Sequence, residues 1–242
     1  MGYFYYYDWT YILFMIPCVI ITLFAQVKVQ SAYTKYSKVA NTRGMTGAQA
    51  AQYVLSSNGV TNVRIEPVSG KMTDHFDPRT NVIRLSEGVY NQSTIAAVGI
   101  ACHEAGHAVQ HAEGYTPNKI RSVLVPVANI GSKLSWLLIT IGLIIPAFSA
   151  VSYNVGQIFL ILGIAFFACA VLFTIVTLPV EFNASSRALK VIREGNLLAG
   201  NEYNGAKSIL QAAAMTYVAA LATSVAQILR LILLYGGRRN RR

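Results

Sequence analysis

A chain of 242 residues holds one ordinary domain, or a small domain together with membrane spans. Its apolar fraction is 54% and its charged fraction 12%, against about 25% charged residues in a soluble domain; the deficit gathers in long uncharged stretches, which excludes an ordinary soluble protein and points to a membrane one. The net charge of +10 comes from bases beside apolar segments and in the C-terminal tail, a placement that suits an anionic lipid surface and not nucleic acid, for which no recognition motif is present.

The first apolar run, Trp9 to Val27, has the length of a membrane-spanning helix. No Lys or Arg precedes it and no clean small-residue cleavage site follows, so a retained anchor is expected over a signal peptide. Tyr3, Phe4, Tyr5, Tyr6, Tyr7 and Trp9 suit a belt at headgroup level. Lys28, Lys35, Lys38 and Arg43 follow the run, and by the positive-inside rule the segment from Lys28 to Lys133 is expected in the cytoplasm.

Within that segment, Thr46-Gly47-Ala48-Gln49 has the spacing of a capping box and opens a helix that Asn58-Gly59 ends. Val63–Val68 and Asn81–Leu85 read as two short strands, with Ser69-Gly70-Lys71 and Asp74-His75-Phe76-Asp77-Pro78 as turns between them. A second helix follows, with Ser93 as N-cap, running through His111 and stopping near Gly114.

That helix carries His103-Glu104-Ala105-Gly106-His107. Histidines four apart share one helical face and can reach a single zinc ion, while Glu104 on the flank can take a proton from an attacking water. Ala105 and Gly106 leave room for another element to come close. A catalytic zinc site needs a third protein ligand. The metzincin position, six residues past His107, holds Glu113, so that pattern fails. A gluzincin takes a glutamate from a later helix, and Glu181 suits that role, on a new helix expected to start after Pro179; the alternative is an acid that merely caps that helix. His111 is either a reserve ligand or a group satisfying the helix C-terminus. His75 is either an oxyanion donor or a solvated loop residue, and Tyr217 is another candidate donor. Cys102 faces away from the ligand side, and Cys18, Cys102 and Cys169 have neither metal-knuckle nor disulfide-framework spacing.

Two further apolar runs, Leu134–Ala150 and Ile158–Leu178, read as a transmembrane hairpin, with Trp136 and Tyr153 at its interfaces and Pro146 tolerated inside it. The hairpin returns the chain to the side it left, which brings Glu181 back towards the histidines. A last stretch, Ile209–Tyr235, contains Gln211, Gln227 and Arg230 and has bases at both ends, so packing against the other helices or lying at the interface suits it better than a clean span. The resulting division is an anchor over 1–27, a cytoplasmic subdomain over 28–133, a hairpin over 134–178, and a third-ligand helix with a C-terminal apolar helix over 179–242.

The chain resembles the YugP-type bacterial membrane zinc metallopeptidases, the neutral zinc metallopeptidase family. The resemblance rests on Ile65-Glu66-Pro67-Val68, Thr73-Asp74-His75-Phe76-Asp77-Pro78, His103-Glu104-Ala105-Gly106-His107-Ala108, Leu124-Val125-Pro126-Val127-Ala128-Asn129, Leu178-Pro179-Val180-Glu181-Phe182-Asn183-Ala184-Ser185 and Thr216-Tyr217-Val218-Ala219-Ala220. It implies a bacterial inner-membrane location and peptidase activity. The layout is also similar to HtpX-like membrane proteases, which place an Asp four residues after the glutamate ligand, where it orients a ligand histidine; Ser185 stands there in this chain. The expectation is therefore a mainly α, polytopic membrane protein with a small cytoplasmic α+β subdomain. In it His103, His107 and Glu181 hold Zn2+, and Glu104 acts as base in the hydrolysis of a polypeptide, with membrane proteins among the substrates. An oligomer or a regulatory membrane partner stays open. The rivals are a zinc-containing scaffold without activity, and a transporter; the hairpin runs lack the ionisable groups a transporter needs.

Overall fold

The computed structural model describes residues 9–145 and 152–239, with the side chains at 152, 153 and 234–239 left aside. The expected aromatic belt at 3–7, Pro146, the Tyr153 side chain and the last arginines lie outside the described residues. The elements run α1 (Trp9–Tyr36), α2 (Gly47–Ser57), β1 (Arg64–Val68), β2 (His75–Asp77), β3 (Val82–Ser86), α3 (Ile95–Ala112), α4 (Thr116–Ile144), α5 (Ser152–Glu194) and α6 (Asn201–Arg239). Segments of α1, α4, α5 and α6 are long and apolar enough to cross a membrane.

The chain forms two compact units. One takes in the chain up to Leu23, Ile120–Thr177, and the chain from Tyr217 onward. Its helices carry many exposed apolar side chains, among them Leu13, Ile20, Val123, Ile130, Leu137, Ile158 and Leu233. That is the reverse of a soluble surface and the composition a lipid-facing one requires. Within this unit α4 and α5 meet at glycines: a Cβ at Gly142 would come within 2.7 Å of the Leu160 backbone, and one at Gly163 within 2.9 Å of the Ile139 backbone. Small residues let the two backbones approach, the usual device for helix association in lipid. Ile139, Leu160 and Leu231 form a shared cluster, and the Arg230 guanidinium lies 4.8 Å from the centre of the Tyr11 ring. The C-terminal helix is thus packed against the others, one of the two arrangements its polar residues suggest.

The second unit comprises Phe24–Lys119 and Leu178–Thr216. The capping box forms: Gln49 N–H donates to Thr46 Oγ1 and Thr46 N–H to Gln49 Oε1. Asn58 caps the other end of α2, and Gly59 turns the chain with φ +69°. The sheet has the order β1-β3-β2, with β1 parallel and β2 antiparallel to β3. Central β3 is covered on both faces, with Val82, Ile83 and Leu85 fully buried. The core joins Ile83 and Leu85 to Val54 and Leu55 of α2, Val98, Ala101 and Ala105 of α3, and Ala188 and Ile192 of α5.

Three expectations need correction. Thr94, not Ser93, caps α3, its Oγ1 accepting from the Ala97 amide, because the chain ahead of it pairs through Ala40↔Thr94 and is extended up to that residue. His75–Asp77, read as a turn, is strand β2: Asp74 accepts from the Ser86 amide at 2.7 Å and its hydroxyl at 3.1 Å, which locks the short segment beside β3. Finally, no new helix starts after Pro179. Helix α5 runs through it to Glu194.

Candidate metal centre

Helix α3 passes through the middle of the second unit, buried on most of its faces. Helix α5 comes close to it at Gly106: a Cβ there would stand 2.8 Å from the Ala184 carbonyl oxygen and 3.3 Å from its Cα. Only glycine permits this approach, and it sets the residues before and after Ala184 against the two histidines. Glu181 is the result. Its Oε2 lies 3.3 Å from His103 Nε2 and 3.4 Å from His107 Nε2. The carboxylate is 2% exposed and His107 9%, so these groups converge out of water.

The spacing has a chemical meaning. Ligands on a tetrahedral zinc with bonds of about 2.0–2.1 Å are separated by about 3.3–3.4 Å, the tetrahedron's edge. The Glu181 oxygen stands at that separation from both imidazole nitrogens, and the three donor atoms lie within 4.8 Å of one another. Two neutral imidazoles and one carboxylate are the donor set zinc prefers, with one position left for solvent. The residues fit the metal.

Both histidines are held from behind. Ser185 Oγ lies 3.1 Å from His103 Nδ1, and Gln110 Oε1 lies 3.1 Å from His107 Nδ1. The rings meet edge to face, centroids 4.7 Å apart. Glu104 is turned off this face towards the sheet, where the Phe76 amide of β2 donates to its Oε2 at 3.1 Å. The hairpin that carries Phe76 is tied by Asp77, which accepts from Thr80 Oγ1, Arg84 Nη1 and the Arg79 amide. The hydrogen bonds from Thr80, Arg84 and the Arg79 amide hold the Asp77 carboxyl at about 2.

The remaining candidates are not among the three converging groups. His75 is exposed and its Nδ1 donates to the Thr73 carbonyl at 2.8 Å. His111 is exposed at the last turn of α3, its ring 5.7 Å from that of Phe76. Tyr217 is half-buried on α6 and belongs to the other unit. Cys102 is fully buried, its thiol directed at the Ala50 carbonyl, and burial pushes it up. Glu113, which occupies the failed metzincin position, pairs with Arg187 at 2.7 Å. Sequence reasoning missed Gln110, Asn183, Arg187 and the Phe76 amide. A signal existed for the first, since Gln110 follows His107 by three residues and shares its helical face; the others become visible only once α5 and β2 are placed.

The model of a family described as "Putative neutral zinc metallopeptidase" matches residues 11–236. The chain is 42% identical over 215 residues to "Putative membrane protease YugP" of Bacillus subtilis (strain 168), covering 89% of this chain and 92% of that protein. No solved structure gives a significant match. The match over nearly the whole length, on a fold that brings His103, His107 and Glu181 together, places this chain in the neutral zinc metallopeptidase family.

Proposed function

We propose that this protein is a zinc-dependent endopeptidase of the gluzincin type, embedded in the bacterial inner membrane with its site at the cytoplasmic face. The observation that carries the reading is the placement of Glu181 Oε2 at 3.3 and 3.4 Å from the two imidazole nitrogens. His103, His107 and Glu181 would hold the metal. When bound there, zinc supplies Lewis acidity to a peptide carbonyl and to water.

The chain's own residues supply the rest. Glu104 is the base. Its Oε2 is engaged by the Phe76 amide, so the proton of the attacking water passes to Oε1 and from there to the departing amine. The fixed amide removes the rotamer search that a free glutamate would face at each turnover. Burial of Glu181 and His107 keeps the ligands dry, which strengthens electrostatic interactions at the site. The basic residues Lys28, Lys35, Lys38 and Arg43, all exposed, support the cytoplasmic orientation. The substrate is an extended polypeptide presented at the membrane surface.

Glu104→Gln tests the reading. It should keep zinc and cost about 10²–10⁴-fold in peptide hydrolysis. Wild-type turnover by this variant, on a substrate whose cleavage a chelator abolishes, would refute it.

A further inference from the structure

Behind His107 lies a chain of polar groups that the proposed reaction does not use directly. Gln110 is fully buried. Its Nε2 donates twice, at 2.8 Å to the Val180 carbonyl and at 2.9 Å to Asn183 Oδ1. Arg187 Nε donates to the same Asn183 oxygen at 2.7 Å. Arg187 Nη2 in turn meets Glu113 Oε2 at 2.7 Å, at the half-exposed outer end.

Each link fixes the next. An arginine Nε only donates, so the Asn183 atom facing it is the oxygen. That oxygen accepts from Gln110, and so does a backbone carbonyl, which only accepts; the Gln110 atom facing both is the nitrogen. The Gln110 oxygen is therefore the atom that faces His107 Nδ1 at 3.1 Å. An amide oxygen accepts and never donates, so Nδ1 of a neutral His107 ring carries the hydrogen; the Nε2 lone pair then faces the Glu181 oxygen at 3.4 Å, a pairing that a cation between them would satisfy. His103 lacks such a constraint, because its neighbour Ser185 is a hydroxyl that donates or accepts equally well.

We infer that Gln110, held by Asn183 and Arg187, is a positioning residue that locks His107 in the Nδ1–H tautomer required of a metal ligand. The inference deepens the reading of this site as a zinc centre and rests on it for its purpose. The lock does not consist of Gln110 alone. Two independent acceptors hold the amide in one orientation, and a salt bridge seats the arginine that fixes one of them. A glutamine without these partners would rotate and present its NH2 to the ring.

The test uses the full-length chain in detergent, stripped of metal. Nitrogen-15 spectra of labelled histidine, taken at a pH where the rings are neutral, should show His107 of the wild type as the Nδ1–H form. Gln110→Met keeps the volume and removes the acceptor; it should give a mixture of tautomers. It should also weaken zinc binding about 10–100-fold in competition with a chromophoric chelator. Arg187→Met, at the half-exposed end, should shift zinc affinity in the same direction and by less, and serves where the buried substitution prevents folding. A wild-type His107 in the Nε2–H form, or zinc affinity unchanged in both variants, overturns the inference. A wild-type chain that shows the Nδ1–H form yet binds no zinc keeps the lock and removes the metal reading instead.

Discussion

Gly106→Ala isolates the geometric step on which the metal centre depends. The added methyl would stand 2.8 Å from the Ala184 carbonyl oxygen, where ordinary contact begins at 3.4 Å. Because the obstacle is backbone, α3 and α5 must separate by about 0.6 Å, the difference between those two distances. Gly106 adjoins His107 and Ala184 lies three residues past Glu181, so the separation acts on the ligand distances themselves. Shifts of that size take the 3.3 and 3.4 Å spacings towards about 4 Å, beyond the tetrahedral edge. Overpacking costs about 1–3 kcal/mol, while replacing Gly by Ala inside a helix returns about 1 kcal/mol. Global stability should therefore change little. Zinc must instead draw the ligands back against the methyl, and a strain of about 1.4 kcal/mol is tenfold in affinity. Chelator competition should show zinc bound about tenfold more weakly, with the melting temperature of the metal-free protein within a few degrees of wild type. Gly99→Ala is the control: its methyl would meet the Ala206 side chain at 3.2 Å, on α6 and not on α5, and should leave zinc affinity nearly unchanged. Equal zinc affinity in Gly106→Ala and wild type would refute the reasoning.

Three further outcomes follow from the structure. Ser185→Ala removes the group 3.1 Å from His103 Nδ1 and should weaken zinc binding about 10–100-fold; Ser185→Asp, which supplies a fixed acceptor, should restore it, and a Ser185→Ala variant with wild-type affinity would show the contact to be idle. Thr46→Ala removes the cap of α2 and should lower stability by about 1 kcal/mol, read as a melting temperature lower by a few degrees, with zinc content unaffected. Lys71→Cys, made together with Cys169→Ser because Cys169 is only partly buried, places a reporter on the exposed turn before β2, against native Cys18 and Cys102 that are buried. In intact cells an impermeant thiol reagent should fail to label it, and labelling from outside would reverse the proposed orientation.

The sequence was most legible where chemistry is local. The capping box at Thr46, the αL turn at Gly59 and the helical spacing of His103 and His107 each depend on a few neighbouring residues. Glu181 was reachable by counting ligands, since two histidines leave a catalytic zinc one protein donor short. The route to it was misread: Pro179 suggested a helix start, whereas in α5 it sits inside one long helix. Strand β2 was hidden because Asp74 and Asp77 are turn formers by composition, and only their bonds to Ser86, Thr80 and Arg84 show that they fasten a strand. What holds Gln110 behind His107 was illegible for a similar reason. Gln110 and Asn183 lie 73 positions apart, and a glutamine in an apolar helix face gives no sign of its partner.

Metal content of two purified variants tests the central claim most directly. Zinc should be measured per chain in wild type, Glu181→Ala and Glu104→Gln after equilibration at limiting free zinc. Wild type and Glu104→Gln should each hold one zinc, and Glu181→Ala should hold much less, because removing its carboxylate leaves only two protein donors at the site. Full zinc occupancy in Glu181→Ala would contradict the account, and so would loss of zinc in a folded Glu104→Gln.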